Sequence, residues 1–288
     1  MPRETSLIPR ETSASGSSPA PRLGQVTQWI ELDGAVNVRD VGGLPTEDGG
    51  RIAEHRLIRA DNLQDLSEAD IDHLRAGLGV TDIVDLRANI ERAIEGEGPL
   101  QRYDVTHHHL SLLPEDEGQD AVEVAEDAVL PWSPNADRTR PERSPDEIAI
   151  GPYFGYLLDR PDAVAEALRV VATSEGATVV HCAAGKDRTG TVVAMALDVA
   201  GVAPEVIAEE YALTSERIER VVERLGRRPA YAEAMQGTTL DQHVPQAETM
   251  VRLLDAIRER WGGSAGWLRT QGWSEDEIRG LRAALRAE

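Results

Sequence analysis

Lysine and cysteine are almost absent from this sequence of 288 residues. Lys186 is the sole lysine and Cys182 the sole cysteine, whereas arginine supplies every other basic side chain. A single cysteine excludes a disulfide within the chain, so Cys182 is either a small buried hydrophobe or a reactive thiol. The two rare residues lie four positions apart, which directs attention to the segment that contains them.

The sequence also lacks long apolar runs and an excess of positive charge. No run reaches the length of a membrane-spanning helix, and the N-terminus has no signal-peptide pattern, so we expect a cytoplasmic protein without an integral membrane segment. Secretion without a signal peptide stays open. The formal net charge of -21 repels the phosphates of nucleic acid, which we therefore do not expect as a partner. Any phosphate site must be a local basic exception.

Composition divides the chain into a tail and a folded part. Residues 1–28 are rich in Ser, Pro, Arg and Glu, which predicts a disordered N-terminal tail. Residues 29–288 are predicted to form one domain, because an apolar fraction of 41% suffices for a core. Within this domain, residues 114–147 carry many acidic side chains and five prolines, which predicts a mobile surface loop.

Short β-branched runs alternate with helical patterns along the folded part. Buried strands are predicted at residues 57–59, 81–87 and 178–180. Capping patterns at Ser67 and Ser274 predict helix starts, and further helices are predicted at 162–174, 189–200, 204–225 and 246–261. The alternation indicates an α/β fold with a central, mostly parallel sheet flanked by helices. Residues 204–245 are predicted to form a helical lid over the sheet edge.

The segment with the two rare residues reads Val-Val-His-Cys-Ala-Ala-Gly-Lys-Asp-Arg-Thr-Gly over residues 179–190. It predicts a strand, a tight loop and a helix start, with five residues between Cys182 and Arg188. That spacing lets the chain curl once around a phosphate-sized anion, with backbone N–H groups pointing inward at the positive end of a helix. The preceding strand, the internal Gly185 and the following Thr-Gly make this occurrence more specific than a bare Cys-x5-Arg.

The residue types in this loop suit phosphate chemistry. The positive field at a helix N-terminus stabilises a thiolate, so Cys182 is a candidate nucleophile. The planar guanidinium of Arg188 offers two donors to two phosphate oxygens, a geometry that lysine cannot match. Both features favour the transition state of phosphoryl transfer.

The motif resembles the signature of bacterial tyrosine phosphatases of the mycobacterial tyrosine phosphatase B type. The resemblance extends to residues 37–43, 57–61 and 85–87 and to the C-terminal run 248–285, so it covers nearly everything after residue 28. It implies a tyrosine-phosphatase-like catalytic domain that hydrolyses phosphotyrosine through a phosphocysteine intermediate. It also implies activity on phosphoserine, phosphothreonine and phosphoinositides, without a cofactor.

The resemblance implies a role for each residue of the loop. Cys182 is the nucleophile, Arg188 the phosphate clamp, and Asp187 the general acid, which many tyrosine phosphatases hold on a separate loop. Asp85 and Asp137 are the alternatives for the acid. The residues expected to bind substrate are Ala183, Ala184, Gly185, Lys186, Thr189 and Gly190, and those expected to support the loop are His181, Asp85 and Arg59.

Other interpretations stay open on the sequence alone. Consecutive histidines at His107, His108 and His109 alternate between the two faces of an extended run, so we expect no metal there. Arsenate reduction on a similar anion loop usually requires resolving thiols that a chain with one cysteine lacks. A catalytically silent phosphate-binding module is the alternative from a different functional class.

Overall fold

The computed structural model describes residues 28–114 and 150–287. The predicted loop at 114–147, including Asp137, therefore lies outside the described residues apart from its first position. The predicted tail also lies outside the described residues, apart from its last residue, Gln28, which belongs to the first strand.

Six strands form one sheet in the described residues, namely β1 Gln28–Trp29, β2 Arg39–Asp40, β3 Leu57–Ala60, β4 Val80–Asp85, β5 Thr106–His109 and β6 Ala177–His181. Their order across the sheet is β1-β2-β3-β6-β4-β5. The first two pairings are antiparallel, and the three pairings among β3, β6, β4 and β5 are parallel. The predicted mostly parallel sheet is confirmed.

Helices cover both faces of this sheet. They are α1 Glu68–Asp72, α2 Asn89–Glu95, α3 Pro152–Asp159, α4 Pro161–Thr173, α5 Asp187–Ala200, α6 Pro204–Ala212, α7 Ile218–Leu225, α8 Ala232–Met235, α9 Ala247–Trp261, α10 Ser264–Thr270 and α11 Glu275–Leu285. Shorter helical segments are a π-helix at His73–Gly77 and 3-10 turns at Pro99–Arg102, Leu213–Arg217 and Leu240–Gln242. The capping boxes predicted at Ser67 and Ser274 are confirmed. Within the described residues, no helix combines the length and apolar character needed to cross a bilayer.

The alternation of side chains along the strands divides the core into two layers. Val84 and Val180 pack with helices α3 to α6 and α9 to α11, whereas Ile83 and Val179 pack on the other face with the α1 region. Successive strand residues point to opposite faces, so the adjacent residues Val179 and Val180 of β6 serve opposite layers, and all five residues of the strand are buried. Strand β6 is thereby buried throughout, and its carboxyl end leads directly into α5 from the middle of the parallel part of the sheet.

The continuous helix predicted over 204–225 is wrong, because it breaks after Ala212. The guanidinium of Arg39 donates to the backbone oxygen of Glu210 at 2.9 Å and to the hydroxyl of Thr214 at 3.1 Å. In a continuous helix that oxygen would accept only from the N–H four residues later. The buried arginine competes for it, and the chain tightens into the 3-10 turn Leu213–Arg217 before α7 begins.

Candidate active site

The loop predicted to bind phosphate joins β6 to α5 and is called the 182–188 loop here. Helix α5 begins at Asp187, two residues before the predicted start, so the last part of the loop is already its first turn. Gly185 has a φ of +64°, and a Cβ on it would lie 2.5 Å from the backbone oxygen of Ala60 in β3. Only glycine satisfies both the left-handed backbone and the close approach to β3.

The carbonyl oxygens of the loop are held from outside. The backbone N–H of Asn62 donates to Ala183 at 3.1 Å, and the amide of Asn37 donates to the oxygens of Ala184 and Gly185 at 2.9 and 3.3 Å. The guanidinium of Arg59 also donates to Gly185, at 2.7 Å. Among the described residues, the backbone N–H groups of 183–185 have no acceptor. Such uncommitted N–H groups at a helix start form an anion-binding concavity.

The residues that hold the loop are fixed by a buried ionic cluster, called the scaffold cluster here. Glu210 accepts from Arg39 at 2.7 Å and from Arg59 at 2.6 Å, and all three side chains are at most 2% exposed. Arg39 also donates to the amide oxygen of Asn37 at 2.7 Å. The predicted supporting residue Arg59 therefore contacts the loop directly, while Arg39 acts through Asn37.

Arg188 forms a second buried ion pair, with Glu91, called the clamp pair here. Both terminal nitrogens of Arg188 donate to the Glu91 carboxylate, and one also donates to the backbone oxygen of Leu86 at 3.3 Å. Burial alone would lower the pKa of Arg188, but the Glu91 carboxylate raises it well above its usual value. The hydroxyl of Tyr231 and the N–H of Ala88 donate to the same carboxylate at 2.8 and 2.7 Å. Arg188 is thereby held charged and in one orientation.

Asp187 and Lys186 lie next to the clamp. The hydroxyl of Tyr153 donates to Oδ1 of Asp187, and the ammonium of Lys186 lies 3.7 Å from the same oxygen. Lys186 also donates to the backbone oxygen of His243 at 2.9 Å. The sole lysine is therefore ordered by two contacts and is not an independent solvated side chain.

The predicted supporting residues His181 and Asp85 lie behind the loop at the ends of β6 and β4. Nδ1 of His181 is 3.4 Å from the oxygen of Cys182, and Nε2 is 3.7 Å from Asp85. Burial lowers the pKa of His181 to about 4, against the influence of Asp85. Asp85 is committed to Arg87 at 2.6 Å. Although burial would raise the pKa of Asp85, the neighbouring His181 and Arg87 hold it well below its usual range.

A cavity of about 190 Å³ opens directly onto the loop. Its floor contains Cys182 and Arg188 together with Ala183, Ala184, Lys186 and Asp187. Its walls are largely apolar and come from α7, α8 and the segment after each of them: Ile218, Val221, Val222, Leu225, Tyr231, Ala234, Met235 and His243. All of these wall residues belong to the segment 204–245 predicted as a lid.

Three residues predicted to bind substrate do not line this cavity. Gly185 packs on β3, and Gly190 lies against the ring of Tyr211, where a Cβ would approach the ring to 2.9 Å. Thr189 is fully buried, and its hydroxyl has no hydrogen-bond partner in the described residues.

The histidine run forms β5 and does not converge on one point. His108 contacts Asp82 at 2.9 Å and His109 contacts the backbone oxygen of Arg87 at 2.7 Å. In the part of the chain that the structure describes, no group of three or more His, Cys, Asp or Glu side chains is arranged to hold a metal ion.

The sequence did not predict the roles of five residues of the site, which are Asn37, Glu91, Tyr153, Glu210 and Tyr211. Asn37 lies in a segment that carried the resemblance, but nothing in a single sequence connects it to a loop 147 positions later. Glu91 follows a predicted strand end by a few residues and reads as an ordinary helix-surface carboxylate. Only the fold brings it to Arg188.

Comparison with known proteins places this geometry in a family. Residues 30–287 match the tyrosine phosphatase family. The triple specificity protein phosphatase PtpB of Mycobacterium tuberculosis is 28% identical over 277 residues, which cover 88% of this chain and 98% of that protein. A putative tyrosine-protein phosphatase of Cupriavidus necator is also 28% identical, over 88% of this chain and 87% of its own length.

A third relative, a tyrosine-protein phosphatase of Nostoc commune, is 29% identical over 80% of this chain and 74% of its own length. The family match spans both faces of the sheet, the 182–188 loop and the helices that cover it. The chain therefore belongs to the tyrosine phosphatase family and is a phosphatase.

Proposed function

We propose that this phosphatase hydrolyses phosphotyrosine through a phosphocysteine intermediate on Cys182. The observation that carries the proposal is the 182–188 loop, whose carbonyl oxygens are bound from outside and whose N–H groups 183–185 have no acceptor in the described residues. Cys182 lies at the base of this concavity and Arg188 at its far end, and both line the same cavity. A phosphate dianion would be neutralised there by directed N–H groups and one guanidinium.

The first step is an in-line displacement at phosphorus. A bond forms between the sulfur of Cys182 and phosphorus as the bond to the leaving oxygen breaks, and Asp187 gives its proton to that oxygen. Arg188 and the loop N–H groups bind the equatorial oxygens, where charge resides in the transition state. Glu91 keeps the guanidinium in the orientation that this binding requires.

The second step releases the phosphate. Asp187, now ionised, removes a proton from a water molecule as the water oxygen bonds to phosphorus and the sulfur–phosphorus bond breaks. The Thr189 hydroxyl stabilises the departing thiolate. Asp187 is preferred over Asp85 as the acid, because Asp187 lines the cavity whereas Asp85 is paired with Arg87 and does not.

We propose that the substrates extend to phosphoserine, phosphothreonine and phosphoinositides. Lys186 adds a positive charge at the floor of the cavity beside Asp187, where a second phosphate of a phosphoinositide would meet it. One relative is named a triple specificity phosphatase, which is in keeping with a range wider than phosphotyrosine.

The first experiment measures turnover by the wild type and by Cys182→Ser in buffer that contains a chelator. The substrates are a phosphotyrosine peptide, a phosphoserine peptide and phosphatidylinositol phosphates. Wild-type turnover that resists the chelator and is abolished by the serine substitution supports the proposal. Turnover that survives in Cys182→Ser would exclude a phosphocysteine intermediate, and binding of phosphate without turnover would favour the silent binding module.

A second experiment tests Asp187 separately. Asp187→Asn should lose much more activity on phenyl phosphate, whose leaving group needs a proton, than on an aryl phosphate with a strongly electron-withdrawing ring. Asp198→Asn, in the same helix but bound to the N–H of Ser264, is the matched control. Equal losses on both substrates in Asp187→Asn would remove the acid role.

A further inference from the structure

Two buried tyrosine hydroxyls form a chain that ends on Asp187. Tyr153 in α3 donates to Oδ1 of Asp187 in α5, and its own hydroxyl lies 2.6 Å from that of Tyr211 in α6. Tyr153 is 8% exposed and Tyr211 is 1% exposed. Three separate helices thus contribute one residue each to a contact that the sequence does not suggest.

The direction of the chain follows from the chemistry of its end. An ionised carboxylate can only accept, so the hydroxyl of Tyr153 donates the hydrogen bond to Asp187, and its oxygen is then left to accept a hydrogen bond from Tyr211. Burial, and next to it the nearby Asp187 charge, raise the pKa of both tyrosines above their usual value. Both hydroxyls therefore stay protonated and remain donors at neutral pH.

We infer that Tyr153 is the positioning residue of the general acid, and that Tyr211 aligns Tyr153. This inference rests on the proposed role of Asp187. The Tyr153 hydroxyl and the Lys186 ammonium both approach Oδ1, whereas Oδ2 has no partner among the described residues. Oδ1 is the anchored oxygen, and Oδ2 is the one that exchanges the proton with the leaving group and then with water.

The packing around the chain fixes its geometry. The rings of Tyr153 and Tyr211 meet edge to face, with centroids 6.1 Å apart and an interplanar angle of 85°. The ring of Tyr211 also fills the space above Gly190, in the second turn of the helix that begins at Asp187. Because both rings are held by packing, removing a hydroxyl should leave their positions nearly unchanged. Removal of the hydroxyl should then change mainly the orientation of Asp187.

Tyr153→Phe tests the inference on the two aryl phosphates used for Asp187→Asn. We expect a loss of kcat of about tenfold on phenyl phosphate, because a misoriented acid reduces the population in attack geometry. On the activated aryl phosphate kcat should stay within about twofold, and KM should not change on either substrate, since the clamp is untouched. Tyr211→Phe should show the same pattern with a smaller loss.

Tyr103→Phe is the matched control, because the hydroxyl of Tyr103 also donates to a carboxylate, that of Glu68, on an exposed surface away from the cavity. The thermal midpoint of each variant shows that the fold is retained. Equal losses on both substrates, or a change confined to KM, would overturn the positioning role. The double variant Tyr153→Phe with Asp187→Asn should have a kcat no lower than that of Asp187→Asn alone. Additive losses of kcat in the double variant would also contradict the inference.

The outcomes separate the two levels of the proposal. If Asp187→Asn lost equal activity on phenyl phosphate and on the activated aryl phosphate, the acid role of Asp187 would be refuted, and the inference with it. A normal Asp187→Asn result combined with wild-type behaviour of Tyr153→Phe would refute only the positioning role.

Discussion

The scaffold cluster and the clamp pair use the same chemistry for different ends. Each joins buried arginine to a glutamate that is at most 2% exposed, and each contacts the 182–188 loop. In the scaffold cluster both arginines are completely buried and donate only to protein groups. The side chain of Arg188 is 10% exposed and lines the cavity. An arginine with one side left open can bind a substrate while it keeps its protein partner, whereas an enclosed one can only stabilise the fold.

The charge balance of the two clusters also differs. Two guanidinium groups share one carboxylate in the scaffold cluster, so burial and the adjacent Arg59 lower the pKa of Arg39. In the clamp pair each charge has its own partner, and Glu91 raises the pKa of Arg188. The excess positive charge of the scaffold cluster is met by the oxygens of Asn37 and Gly185. The loop is thus bound to a cationic support on its outer side.

The largest effect should come from Arg188→Lys. An ammonium keeps the charge but cannot bind Glu91 and two phosphate oxygens in one plane, so kcat should fall by about 10³-fold or more. Stability should change little, because the charge near Glu91 is retained. Steady-state kinetics on the phosphotyrosine peptide measure the first effect, and urea unfolding measures the second. A large loss in the free energy of unfolding, in addition to the loss of kcat, would mean that the clamp pair also stabilises the fold.

Glu210→Gln should give the converse result. It leaves two buried guanidinium groups without a counter-charge, which costs about 3–4 kcal/mol of the free energy of unfolding. Glu223→Gln is the control, because Glu223 is 60% exposed and its ion pair with Arg227 lies on the surface. That substitution should cost at most about 0.5 kcal/mol. A stability loss as small for Glu210→Gln as for the control would refute the scaffold assignment.

His181 lies between the loop and the Asp85–Arg87 pair, and its titration should make stability depend on pH. Burial keeps it neutral in the folded protein down to about pH 4, whereas the unfolded chain binds a proton below about pH 6.5. Its contribution is therefore complete above pH 6.5 and is lost as the pH falls toward 4. The free energy of unfolding should drop by about 2 kcal/mol from pH 7.5 to pH 5 through this residue alone.

His181→Gln separates that contribution from the rest. The variant should show a smaller difference between its unfolding free energies at the two pH values than the wild type does. His107 and His243 also have lowered pKa values because of burial, so part of the dependence should remain. An unchanged difference would mean that His181 is accessible to protons in the folded state.

Glu91→Gln should have a much smaller effect on activity than Arg188→Lys. The neutral amide loses one charge-assisted hydrogen bond to Arg188, worth about 1.5 kcal/mol, so kcat should fall about tenfold. Tyr231 still donates to the remaining oxygen, which limits the reorientation. If kcat fell as far as in Arg188→Lys, Glu91 would be as important for catalysis as Arg188 itself. The distinction between a residue that orients the clamp and a residue that binds substrate would then not apply to this pair. The same kinetic assay decides this.

The sequence predicted the parts that depend on neighbours along the chain. The strand–loop–helix around Cys182, the strand runs and the two serine caps are local patterns, and the structure contains all of them. Arg59 was expected near the loop only through the family resemblance, and the partners Asn37 and Glu91 could not be predicted, since they approach the loop only in the folded chain. The break after Ala212 was missed for the same reason, because a propensity pattern does not include competition from Arg39.

The distances along the chain between these partners have a consequence for biosynthesis. Asn37, Arg59 and Glu91 emerge from the ribosome before the loop does, whereas Glu210 follows Arg188 by 22 positions. Until Glu210 has been synthesised, Arg39 and Arg59 lack the carboxylate that they bind in the folded protein. A nascent chain that already contains Cys182 therefore still lacks the glutamate that holds Arg39 and Arg59 in place. The enzyme should therefore be inactive during translation and become active only after helix α6, which contains Glu210, has left the ribosome.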